Sequence, residues 1–95
     1  MNKFKWVIEH QIRQAIEEQE DAFIAGSKQF DIEFDDDSLF KSSKSLFFTV
    51  KCALRKGIYR DDIYVYKRIT GFVDSNGVTL MDSMIMGTER VQYND

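Results

Sequence analysis

Ninety-five residues, 43% hydrophobic and 31% charged, are enough for one domain with a single core and little stability to spare. A net charge of -3 and a pI near 5.1 argue against a wholly basic nucleic-acid binder. One cysteine, Cys52, excludes an intramolecular disulfide and points to a reducing, cytoplasmic compartment.

The start, Lys3 to Ile8, imitates a signal peptide until Glu9, His10 and Gln11 break the apolar run. No apolar stretch approaches the roughly 18 residues of a membrane span, so no membrane partner is expected. Residues 3–25 read as an amphipathic helix. Phe4, Val7, Ile8, Ile12, Ala15, Ile16, Ala22 and Phe23 line one stripe, and most of the charges fall opposite. Gly26 and Ser27 supply the expected stop, with glycine suited to a left-handed cap.

Residues 29–35 alternate: Phe30, Ile32 and Phe34 share one face, Asp31, Glu33 and Asp35 the other. That is a half-buried strand with an acidic outer face. The segment to Ser45 reads as a loop, with Leu39 and Phe40 available to pin it. Residues 46–54 fit two patterns. As a strand, Leu46, Phe48, Val50, Cys52 and Leu54 share a face; as a helix, Leu46, Phe47, Val50, Ala53 and Leu54 do. Phe47 to Val50 favour strand on propensity. The helical alternative would give an α-β-α-β-β order.

Two more strands follow at 62–73 and 78–86, joined by Asp74-Ser75-Asn76-Gly77, a strong hairpin signal. Ile63, Val65, Ile69 and Val73 are expected inward, as are Val78, Leu80, Met84 and Met86. Thr79, Met81, Ser83 and Ile85 are expected outward. Lys67 and Asp82 break the inward pattern and are expected diagonal to each other, as a salt bridge or beside a bulge near the sheet edge, with a functional buried pair as the alternative. Val91 and Tyr93 extend the last strand or fray. The expected fold is α+β: an N-terminal helix on one face of an antiparallel sheet of about four strands.

Charge is uneven along the chain. Residues 1–38 hold four bases against ten acids (-6), residues 39–73 eight against two (+6), and residues 74–95 one against four (-3). On the strand reading, the uncovered face gathers Phe47, Thr49, Lys51, Arg55, Tyr64, Tyr66, Arg68, Phe72, Met81 and Ile85. Aromatics and arginine together suit a protein interface, on a partner or on a second copy. They also suit single-stranded nucleic acid, with Tyr64 and Tyr66 stacking bases while Lys51, Arg55 and Arg68 meet phosphates. A third reading has the loop at 36–45 or the C-terminal tail fold over this face. The acidic helix face and Asp35-Asp36-Asp37 admit phosphate mimicry, although the +6 segment argues against it.

No catalytic constellation stands out. His10 is the only histidine and lies among helix acids; Cys52 points inward as an inert thiol. One histidine and one cysteine make no ordinary zinc site, the aspartate run lacks the spacing of a calcium loop, and the five glycines are scattered. No metal or cofactor is expected. The chain reads as a non-enzymatic binding protein of the adaptor, immunity-type or virus-encoded inhibitor class, an analogy rather than a derivation.

Overall fold

The computed structural model describes residues 3–26, 28–35, 45–58 and 61–90. One helix precedes five strands: α1 (Lys3–Glu20), β1 (Phe23–Ile24), β2 (Phe30–Phe34), β3 (Leu46–Ile58), β4 (Asp61–Asp74) and β5 (Gly77–Arg90). The loop with Leu39 and Phe40, and the residues Val91 and Tyr93, lie outside the described residues.

The helix ends earlier than its apolar stripe suggested. Asp21, at φ 51°, takes the left-handed position expected of Gly26. The amide of Ala22 donates to the Glu17 carbonyl and that of Asp21 to the Glu18 carbonyl, the paired closure of a Schellman cap. The Glu17 carboxylate then accepts the Ile24 amide at 2.8 Å. These bonds turn the chain into β1, so Phe23 is a strand residue and 78% exposed.

The sheet is antiparallel throughout, with β1 and β2 on one side of β3 and the order continuing through β4 to β5. It does not close into a barrel. β1 and β2 share a lane, pairing with β3 at residues 54–55 and 48–52. Between them the chain bulges out over Ala53, whose carbonyl accepts the Ala25 amide and whose amide donates to Gln29. The arginine of α1 covers this bulge from the helix side: the Arg13 guanidinium lies 5.4 Å from the Phe30 ring centroid and donates to the Ile24 carbonyl at 3.5 Å.

Residues 46–58 are a strand, and the helical alternative is overturned. Neighbours on both sides satisfy the β3 backbone, and Leu46, Phe48, Val50, Cys52 and Leu54 all face the helix and are buried. Ile12 and Ile16 cap this row with no exposed surface. Each such isoleucine contributes about 1.5–3 kcal/mol by leaving water. Burial also pushes the Cys52 thiol up to about 11, with Glu20 adding to the shift and Lys67 opposing it. The raised value has a sign: stability is complete below the thiol's unfolded pKa and falls as pH rises towards 11. Thiol-labelling reagents at pH 8 should therefore modify Cys52 only at the rate of global unfolding; rapid labelling of the folded chain would contradict its burial.

The two long strands β4 and β5 meet at a two-residue turn. The Asn76 amide donates to the Asp74 carboxylate at 2.8 Å, and Gly77 adopts φ 115°. Opposed residues share a face, and the register shifts twice, leaving Met81 and Met86 as extra residues on β5. Each shift reverses the alternation. Leu80 faces the helix side with Gly71, but Ser83 and Ile85 also do so, opposite Ile69 and Lys67. Met84 joins Arg68 on the open face. The inward assignment of Met84, and the outward one of Ser83 and Ile85, are thus corrected, while Met81 and Met86, the extra residues, have no partner on β4 and are both exposed. Lys67 is not beside Asp82. It pairs with Glu20 of the helix, while Asp82 stands opposite Thr70 and accepts its neighbour's amide, that of Ser83.

Candidate functional site

Since α1 covers one face of the sheet, the other presents its side chains outward in rows set by the register. Phe23, Arg55, Tyr64 and Glu89 form one row across the sheet; Ala53, Tyr66 and Gly87 form the next. Asp31, Lys51, Arg68 and Met84 follow, then Glu33, Thr49, Thr70 and Asp82. The last row is Phe47, Phe72 and Thr79. All seven residues singled out from the sequence (Phe47, Lys51, Arg55, Tyr64, Tyr66, Arg68 and Phe72) therefore stand on one surface. Of the two apolar residues added to it from β5, Ile85 belongs to the opposite side; Met84 takes its place.

The surface is not a bare aromatic platform. The Tyr66 hydroxyl donates to Glu89 at 3.0 Å, and the Lys28 ammonium donates to the other Glu89 oxygen at 3.3 Å. That ammonium also lies 4.8 Å from the Tyr64 ring centroid. The hydrogen bond from Tyr66, then Lys28, holds the Glu89 carboxyl below its ordinary range. The same bonds to Glu89 raise Lys28 and Tyr66. The network is therefore whole at neutral pH, dissolving in acid as Glu89 protonates and in strong base as Lys28 or Tyr66 loses a proton. All three groups are solvated, so they order the surface more than they stabilise the fold. Sequence reasoning passed over Lys28 and Glu89, which are 61 residues apart; they meet because β1 and β2 flank β3 on one side while β4 and β5 continue the sheet on the other.

At the far end Phe47 and Phe72 pack with ring centroids 5.6 Å apart, leaving Phe47 40% exposed. Between the two aromatic ends, Lys51 and Arg68 stand directly opposite each other, flanked by Asp31 from β2. The positive segment of the sequence is thus threaded with acids. Asp31 and Glu33 arrive from one side and Asp82 and Glu89 from the other. A groove of ≈ 540 Å³ runs at the β2 edge, where Asp31, Glu33, Thr49 and Lys51 meet Glu9 of the helix.

His10 stacks on Trp6 at 5.9 Å on the exposed side of α1. Among the described residues no three His, Cys, Asp or Glu side chains are placed to hold a metal ion. No described helix is long and apolar enough to cross a membrane. No family model, curated protein or solved structure matches the chain.

Proposed function

We propose that this chain is a non-enzymatic, cytoplasmic binding protein, of the adaptor or inhibitor kind, that docks through its open sheet face on a protein. The observation that supports this reading is the interleaving of charge. A phosphate backbone favours a continuous cationic track, whereas here every row that carries a cation also carries an acid. Lys28 already lies over the Tyr64 ring, and the Tyr66 hydroxyl is held by Glu89, so a base stacking on Tyr64 would have to displace a cation and one beside Tyr66 would meet a carboxylate. Alternating charge around half-exposed aromatics suits a protein surface of mixed sign, where such groups give specificity and the rings give affinity.

Capture from a lysate of the source cell, with the chain and two variants as parallel baits, tests the proposal. A protein retained by the native chain should be lost or weakened about 30-fold or more by Tyr64→Ala/Tyr66→Ala and by Arg68→Glu, the loss expected of central anchors. Folded variants that retain the same proteins with undiminished affinity would remove the open face from the account.

A further inference from the structure

The turn between β4 and β5 is closed by two residues that can react with each other. Among the described residues Asp21 is the one non-glycine at positive φ, so Ser75 and Asn76 keep negative φ and the left-handed step falls on Gly77. Glycine takes that step without strain. A Cβ at Gly77 would meet nothing within 4 Å, and Ser75 and Asn76 are both exposed. The Asn76 backbone amide donates to the Asp74 carboxylate at 2.8 Å. The turn is thus held through the Asn76 backbone, and among the described residues no hydrogen bond engages its carboxamide.

We propose that Asn76 is a site of spontaneous covalent modification, at which its carboxamide cyclises on the Gly77 amide and the turn converts to aspartate and isoaspartate. The Gly77 nitrogen, giving up its proton to solvent base, attacks Cγ of Asn76. The new N–Cγ bond closes a five-membered succinimide; the Cγ–Nδ2 bond breaks, and Nδ2 takes up a proton and leaves as ammonia. Water then opens the ring. Attack at Cγ restores the ordinary peptide with aspartate at 76, whereas attack at the former backbone carbonyl leaves the chain running through Cγ, as isoaspartate.

Ring closure requires the next amide nitrogen to be reachable from the carboxamide carbon. A side chain on the following residue crowds that approach, and glycine has none. Of the three asparagines, Asn2 precedes Lys3 and Asn94 precedes Asp95; Asn76 alone precedes glycine. The ladder opposes the reaction, since Gly77 pairs with Asp74. That pair is the last of the hairpin, where local opening costs least. The residue that lets the chain turn is therefore also the one that exposes it to attack. The product carries one more negative charge than the native chain. In the isoaspartate form a methylene is also added to the main chain, one pair away from Val73 and Val78, which pack at the end of the core. The inference stands apart from what the open face binds.

Trypsin, cutting after Arg68 and Arg90, releases residues 69–90, in which Asn76 is the only asparagine and no glutamine occurs. The folded full chain, held in mildly alkaline buffer, should yield this fragment with a mass gain of about 1 Da that grows with time, and faster at higher pH. The same chain unfolded in guanidinium chloride sets the rate without the turn, and the folded rate should lie within about tenfold of it, as expected for opening of a terminal pair. Modified fragments should accept a methyl group from an isoaspartate-specific methyltransferase. Asn76→Gln, which leaves Gly77 in place but needs a six-membered ring, should slow the gain by about tenfold or more, as should Gly77→Ala. A folded rate further below the unfolded one would mean that the ladder shields Gly77 and would overturn the inference, as would a gain undiminished in Asn76→Gln.

Discussion

Replacing Gly71 with alanine should cost about 3 kcal/mol, at the upper end of what overpacking costs a core. A Cβ at this position would stand 2.3 Å from the Thr79 carbonyl oxygen, 2.8 Å from Cζ of Phe48 and 3.2 Å from Cα of Leu80. The ring of Phe48, directly opposite on β3 and 1% exposed, fills the space that a side chain would take. Two of the three contacts are backbone atoms of β5, so relief requires the hairpin to open beside its first bulge. In a domain of this size the thermal midpoint should fall by about 12–24 °C, a large share of a total of about 5–15 kcal/mol. Gly87→Ala, where an added Cβ meets nothing within 4 Å, is the control. Equal midpoints for the two variants would refute the close approach.

The second large effect lies under the helix. Lys67 projects from β4 towards α1, opposite Cys52, and donates to Glu20, whose same oxygen lies 3.7 Å from the Lys56 ammonium. The side chains of Lys67 and Glu20 are only 13% and 11% exposed. A desolvated pair adds little net stability, but removing one member strands the other. Glu20→Ala should therefore cost about 2–4 kcal/mol, somewhat under the full buried-pair penalty because both groups keep some water. Lys67→Met should cost much less, since methionine needs no counter-charge and Glu20 keeps Lys56. The double variant should recover most of the loss. Urea unfolding of the three variants decides it: additive losses would mean that Glu20 acts on something other than Lys67.

The helix was legible from its periodicity. The inward row of β3 fitted a helical spacing as well as an alternating one and was read as a strand from the propensity of Phe47 to Val50. Ile8, Ile12 and Ile16 recur every fourth residue, and Leu46 to Leu54 alternate. The end of the helix was not legible, since the expected signal was a glycine and the left-handed residue is Asp21. Glu17, closing the turn through both carbonyl and carboxylate, left no simple spacing to find. The extra residue of each β5 bulge is a methionine, Met81 and Met86, and methionine is no turn-type residue, so the alternation read through Met81 put Met84 on the wrong face. Lys67 was correctly seen as an inward charge, but its partner lies 47 residues away across the core. The seven site residues were found because all of them lie on β3 and β4, whose register runs without a shift, so plain alternation places them; the extra residues fall on β5. Their acids were not. Charge along the sequence is contiguous, whereas charge across a sheet is set by register, and register brings Asp31, Glu33, Asp82 and Glu89 among the cations.

Whether that interleaving governs binding is answered most directly by titrating labelled single- and double-stranded nucleic acid with the chain, at about 50 and about 200 mM salt. A face that docks on protein, with an acid in each cationic row, should give no saturable binding at the lower salt. Saturable binding that weakens by orders of magnitude at the higher salt, and is lost with Arg68→Ala, would mean that Lys51, Arg55 and Arg68 act as a phosphate track despite their acidic neighbours.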